Sequence, residues 1–295
     1  MNYHRFKDWA LLLTLVVLWG SNFMFVKLGV ATVPPATLVA ARLVIGALIL
    51  VAVVRALGHT FPPPGRIWLT YAVLAVVGNS LPFLLISWGQ QTIDSALAGI
   101  LMAIMPLTTL VLAHFFVAGE RMTRNRVTGF ALGFVGIVVL MEPAALTGLG
   151  GSGRDVLAQL AVLAGAVCYA AQSVLVRVKL AGNVMVASAA IITIAAAINL
   201  PIALAVDQPW RLAPSPASFW AVIWIGIGPT AIATLAYLKL IDSAGPTFMS
   251  LVNYCVPVVA VFLGVALLGE APGANAYAGL VLILGGIALS RLRRQ

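Results

Sequence analysis

The sequence predicts an all-α integral membrane protein: ten transmembrane helices forming two inverted five-helix repeats around a shared interior. Three observations predict it. The first is composition: of 295 residues, 62% are hydrophobic and 8% charged, with a mean hydropathy of +1.08. Soluble domains carry roughly 25% charged residues, and no soluble core could hide this much apolar surface, so most of it must face lipid. The second is a pattern that returns after 150 residues. Gly119-Glu120 recurs as Gly269-Glu270, Gly129 as Gly279, and Gly136-Ile137 as Gly286-Ile287. The same register aligns Trp19, Asn22 and Lys27 with Tyr169, Gln172 and Arg177. A repeat this long marks a duplicated half, not a short solenoid unit. Duplicated halves in membrane proteins enclose a substrate site where they meet, which makes transport the first expectation. The third is the placement of the basic residues, taken up after the helices.

The helices follow in order from apolar runs and their breakers. The first run, 9–27, has Arg5 and Lys7 ahead of it, as a signal peptide would. It continues through Trp19-Gly20-Ser21-Asn22 with no convincing small-residue cleavage site, and reads as a retained span. Pro34-Pro35 ends the first connection, and span 2 follows at 36–57. Pro62-Pro63-Pro64-Gly65 separates it from span 3 at 67–89, which is followed by span 4 at 95–117 and span 5 at 126–142. The first half covers residues 1–147, a Gly-rich linker 148–155, and the second half 156–295. The second half repeats the plan with spans at 157–177, 184–206, 218–240, 246–268 and 274–290. Pro214, Pro216 and Pro272-Gly273 supply its turns. Each run is long enough for a helix to cross a hydrocarbon layer of about 30 Å.

Orientation follows from the 17 Lys and Arg. With the N-terminus inside, 13 are cytoplasmic: Arg5, Lys7, Arg55, Arg66, Arg121, Arg124, Arg126, Arg177, Lys179, Lys239, Arg291, Arg293 and Arg294. Only Arg154 and Arg211 fall in outer loops, which places both termini in the cytoplasm. Five spans per half is an odd number, so the second half enters upside down.

The remaining signals exclude more than they add. The net charge of +9 does not imply nucleic acid, because the basic residues sit in short loops between spans. Cys168 and Cys255 lie inside apolar runs, so no disulfide framework, metal site or cofactor is implied. Residues 148–153 contain a G-x-G-x-x-G spacing but no strand precedes it, and it reads as linker. No G-x-x-x-x-G-K-[ST] motor motif occurs. All eight acidic residues (Asp8, Asp94, Glu120, Glu142, Asp155, Asp207, Asp242 and Glu270) fall at span ends or in loops. Coupled carriers commonly bury a carboxylate in the membrane, and intramembrane proteases need an aspartate pair or H-E-x-x-H, so the expectation is uncoupled transport and no enzyme. No charged ring points to a channel filter. Gly129-x-x-x-Gly133 with Gly136 could pack within the chain or on a second copy, leaving monomer or homodimer open.

Trp19-Gly20-Ser21-Asn22-Phe23, Arg42 in span 2, the two Gly-Glu pairs after spans 4 and 9, and Pro106 and Pro257 ahead of them resemble the EamA-type transporters of the drug/metabolite transporter superfamily. The chain looks most like their bacterial exporters of amino acids, including aromatic ones. The resemblance implies two five-helix halves around a central cavity, alternating access, and a place in the bacterial inner membrane. A multidrug or purine efflux carrier and a channel are the competing readings. The halves have diverged: Cys168-Tyr169-Ala170-Ala171 stands opposite the Trp-Gly-Ser motif, and Ile192 stands opposite Arg42.

Helical spacing selects the candidate lining. Trp19, Asn22 and Phe23 share one face of span 1, and Tyr169, Gln172 and Ser173 repeat it in span 6. Span 3 offers Asn79, Pro82 and Phe83, and span 8 offers Thr230, Thr234 and Tyr237. Span 9 carries Ser250, Asn253, Tyr254 and Pro257 at the same spacing. Buried amides demand partners, so Asn22, Asn79, Gln172 and Asn253 should face inward, as substrate contacts or as interhelical hydrogen bonds. Trp68, Trp88, Trp220 and Trp224 read as interfacial anchors. Pro82, Pro106, Pro229 and Pro257 are hinge candidates or static kinks. Lys27 and Arg42 are the charge or gating candidates; both can instead snorkel, and Arg42 could hold a carboxylate or a carbonyl. Glu120 and Glu270 are solvated helix-end charges or gating ion pairs, and His114, in the last turn of span 4, reads as a packed or interfacial histidine more readily than as a proton relay. The substrate expected of such a lining is a small amphipathic molecule, with rings for its apolar part and amides for orientation.

Overall fold

A computed structural model describes residues 6–120, 122–141, 153–180 and 182–291. Arg5, Arg121, Glu142, Arg293, Arg294 and linker positions 148–152 lie outside the described residues. Among those described there are eight helices long and apolar enough to cross a membrane, plus two shorter apolar ones. They are α1 (Phe6–Val30), α2 (Pro35–Ala56), α3 (Arg66–Gly89), α4 (Ser95–Phe116), α5 (Arg124–Met141), α6 (Gly153–Lys179), α7 (Val184–Val206), α8 (Pro216–Gly245), α9 (Val252–Leu268) and α10 (Ala274–Arg291). No strand occurs among the described residues.

Local chemistry explains where the ends differ from expectation. The first helix runs longer at both ends than 9–27, with Asp8 in its first turn complementing the N-terminal dipole. Residues 153–155, expected in the linker, are the first turn of α6, where Asp155 plays the same part. Pro35 and Pro216 occupy first-turn positions of α2 and α8, where a missing N–H costs nothing. The largest departure lies between α8 and α9. Gly245 adopts φ +81, a further helical turn follows, and residues 250–251 form a turn before α9 begins at Val252. Ser250 therefore does not share a helical face with Asn253, Tyr254 and Pro257. A left-handed glycine stops one helix, and the chain needs another turn to restart.

Three of the four candidate hinges sit at real irregularities. A π-turn at Val76–Ser80 precedes Pro82, and a second at Gly226–Ile232 contains Pro229. The two π-turns begin 150 residues apart, in the register of the sequence repeat. Pro106 follows a break at residues 103–104 that divides α4. Pro257 lies inside a continuous helix.

Contacts between helix ends sort into two groups. At the end near the termini, Asp8 Oδ1 accepts from Ser243 Oγ (2.6 Å). Also at that end, Glu120 meets Arg126 and Arg177 (both 2.9 Å). At the opposite end, Thr37 donates from N and Oγ1 to Asp207 Oδ2 (2.7 and 2.9 Å), and Ser218 Oγ donates to Leu28 O (2.7 Å). Lys27 Nζ donates there to Ile93 O (2.8 Å) and lies 3.9 Å from Asp94 Oδ1.

Close packing joins α5 to α10. A side chain on Gly129 would strike Gly286 O, and one on Gly136 would come within 2.9 Å of Gly279 O. The small-residue face of span 5 is thus used inside the chain, which lets the two backbones approach. Leu48, Leu69, Phe134, Phe262 and Val281 are exposed on the outside of the bundle, as are Trp88, Trp220 and Trp224. Trp68 instead donates its indole N–H to Pro62 O and Pro63 O.

Candidate functional site

The centre of the site is Arg42. It sits one turn before Gly46 on α2, and the lack of a side chain at Gly46 leaves room for Thr230 of the α8 π-turn. The guanidinium, 3% exposed, donates from Nε (3.3 Å) and Nη2 (3.1 Å) to Thr230 Oγ1. Nη2 also reaches Asn22 Oδ1 of α1 (3.3 Å). Its carbon lies 3.8 Å from the centroid of the Phe83 ring on α3, in cation–π range. Phe83 in turn meets Tyr169 of α6 edge-to-face at 6.3 Å. Side chains from α1, α2, α3, α6 and α8 therefore converge on one buried cation. Arg42 is held inside the bundle and does not snorkel.

The π-turn explains how Thr230 can do this. A π-turn leaves carbonyls without their usual i+4 donor, and Thr230 Oγ1 donates to Ile225 O (2.7 Å). Its lone pairs then remain for Arg42. The α3 π-turn has a matching hydroxyl in Ser80, the repeat-mate of Thr230, and it accepts from Asn199 Nδ2 of α7 (2.7 Å). Asn199 also donates to Ala195 O (2.8 Å) and is buried. Each half thus ties its π-turn hydroxyl to a polar side chain on the other half's second helix. One tie is charged and the other neutral.

The other candidates fall around this centre in varying degree. Gln172 packs its amide against Gly78, in the π-turn that also holds buried Asn79. Phe83 with Tyr169 and Gly78 with Gln172 make two successive contacts between α3 and α6. Trp19 and Tyr237 pair at 5.8 Å, half-buried beside α9. Tyr254 packs with a different cluster, which joins Phe23 and Ile86 to residues of α4, α5, α6, α9 and α10. Asn253, half-buried, lies in the first turn of α9, with its N–H on Ser250 O (3.3 Å). Lys27 lies at the end of the bundle opposite the termini, on the α3–α4 connection, apart from Arg42's partners.

The sequence reading placed Thr230 on the right face but did not join it to Arg42, and it missed Asn199. The 150-residue register holds the signal, since it pairs Ser80 with Thr230. Gln90, fully buried and donating to Phe23 O (2.8 Å), was also missed.

The two Gly-Glu pairs have separate roles. Both glycines are left-handed, at φ +84 for Gly119 and φ +66 for Gly269. Glu270 accepts from Ser95 N (2.8 Å) and Ala96 N (2.9 Å), capping α4 with a charge. Its carboxylate lies against Gly264, where a Cβ would collide with it. Glu120 joins Arg126 and Arg177, whose hydrogen bonds hold its carboxyl below the usual carboxylate range. His114 is exposed, with Nδ1 3.1 Å from Glu120 O.

An all-helical apolar bundle with a buried, multiply held cation describes a polytopic membrane protein with a polar interior. Comparison defines it further. The EamA-like transporter family matches twice, over residues 8–142 and 156–292, and the chain belongs to that family. It is 28% identical to the uncharacterized inner membrane transporter YedA of Escherichia coli, over 88% of this chain and 82% of that one. It is also 28% identical to a probable terminal-alkyne amino-acid exporter of Streptantibioticus cattleyicolor, over 97% and 93%. A probable amino-acid metabolite efflux pump of Salmonella typhimurium shares 32% identity over 48% and 45%. A crystal structure with 24% identity superposes with a TM-score of 0.69, covering 97% of both chains, and supports the fold.

Proposed function

We propose that this membrane transporter exports small amphipathic metabolites across the bacterial inner membrane, in the first place amino acids including aromatic ones. It works by alternating access between two inverted five-helix halves. The single observation that carries the reading is the convergence of Arg42, Asn22, Thr230, Phe83 and Tyr169 inside a largely apolar bundle. Polar side chains at membrane depth mark substrate paths. Here they are flanked by aromatic rings that suit an apolar substrate body. The twice-matched family supports two halves, and the Lys and Arg distribution supports cytoplasmic termini. The names of two relatives, an amino-acid exporter and an amino-acid metabolite efflux pump, favour the substrate class.

The proline-bearing irregularities of α3, α4 and α8 are the hinges in this reading, with Pro257 the weakest of the four. Transport runs down the substrate's own gradient. Counterflow in liposomes holding the purified protein tests this. Preloaded aromatic amino acid should accelerate uptake of the labelled one, with no pH difference imposed. Absence of trans-stimulation by every amino acid, purine and cationic drug tried would defeat the carrier reading.

A further inference from the structure

We propose that Arg42 is the anchor for a carboxylate group on the transported molecule, with Asn22 and Thr230 as its resting partners. The inference rests on the transporter reading above and sharpens its substrate class: carboxylates are taken, and their amides and amines are refused.

Three observations carry it. First, Arg42 has no counter-ion among the described residues. The ion pairs among the described residues join Lys27 to Asp94, and Arg126 and Arg177 to Glu120. Arg42 holds only a neutral amide, a hydroxyl and a ring. Burying a cation without an anion is costly, and a charge kept under that cost has a use.

Second, the guanidinium has donors to spare. Of its five N–H groups, those on Nε and Nη2 are engaged, while Nη1 donates to none of the described residues. Arg42 as a whole is 3% exposed, so these free donors are enclosed, beside half-buried Asn22, Phe83 and Tyr169. A carboxylate meeting Nη1 and displacing Asn22 from Nη2 would complete the two-pronged pairing for which the guanidinium plane is built.

Third, the molecule contains its own control. The tie between Asn199 and Ser80 joins the corresponding helix and π-turn in the other half and is made without charge. Joining a helix to a π-turn hydroxyl does not require an arginine, so the cation at Arg42 serves something else. The rings of Phe83 and Tyr169 beside it place an apolar group next to the anion, as an aromatic amino or hydroxy acid would need.

The test uses the purified full-length chain and measures binding by tryptophan fluorescence or thermal shift. The probes are 3-phenylpropionate, 3-phenylpropionamide, phenethylamine and phenylalanine. The wild-type protein should bind the carboxylate at least about tenfold more tightly than the amide, or about 1.4 kcal/mol. Arg42→Gln should bring the ratio close to one. Arg42→Lys, which keeps the charge but loses the fork, should retain part of it. A wild-type ratio near one overturns the proposal, whether or not either variant folds. So does a preference that survives unchanged in both variants. Carboxylate-selective binding without counterflow would defeat the transporter reading and leave the site standing. Counterflow that ignores the carboxylate would do the reverse.

Discussion

Two turns of identical sequence, 150 residues apart, do different work. At 269–270 the left-handed glycine turns the chain so that Glu270 folds over Gly264 and caps α4, joining the end of α9 to the start of α4. At 119–120 the glycine is equally left-handed, but no matching seat exists. His114 stands where Gly264 would be, and the positions of Ser95 and Ala96 are taken by Gly245 and by Pro246, which has no N–H to offer. Glu120 turns to the arginines of α5 and α6 instead. Among the described residues, α4 and α9 are thus stitched by a carboxylate at one end only. A repeated motif fixes the turn, and its surroundings decide the contact.

The comparison breaks first at Glu270. Glu270→Ala leaves two helix N–H groups without their anion and should cost about 2 kcal/mol, read as a lower thermal unfolding midpoint in detergent. An unchanged midpoint would mean that the cap contributes nothing. Gly264→Ala should reproduce much of that loss with Glu270 intact, because the new Cβ takes the carboxylate's place. At the repeat-mate, His114→Ala should stay within about 0.5 kcal/mol of wild type, as exposed substitutions usually do. Equal effects at the two sites would contradict the asymmetry.

A comparably small effect belongs to Glu120→Gln, about 0.5 kcal/mol at neutral pH, since Arg177 is largely exposed and the pair is screened. Its sign with pH is fixed. A carboxyl whose pKa is lowered by folding contributes stability above its unfolded pKa and loses it as pH falls through the folded value. The gap between wild type and Glu120→Gln should therefore close below about pH 4. A gap that widened in acid would show that the arginines are not its partners.

Much of this architecture was legible in the sequence because lipid imposes strict demands. Apolar runs broken by proline and glycine anticipated the apolar helices among the described residues, and Asn22 has the partner a buried amide needs in Arg42. The turn at residues 250–251 was not legible, because 246–268 reads as one apolar run and a short turn inside it leaves no trace in hydropathy. Asn199 was hidden for another reason. The expected match for Arg42 was sought at position 192, in strict register. The longer arginine reaches its hydroxyl from one turn before Gly46, while Asn199 lies one turn beyond Ala196, the Gly46 mate. Equivalent hydroxyls can be approached along a helix from either side, and a fixed offset between sequences cannot register that.

The glycines joining α5 to α10 have a consequence for assembly. Gly129 lies on the carbonyl of Gly286 and Gly136 on that of Gly279, so each glycine packs on the repeat-mate of the other. That is the reciprocity of an isologous interface, in which residue i meets j and j meets i, here written within one polypeptide. Such a face is self-complementary: what α5 presents to α10, α10 presents to α5.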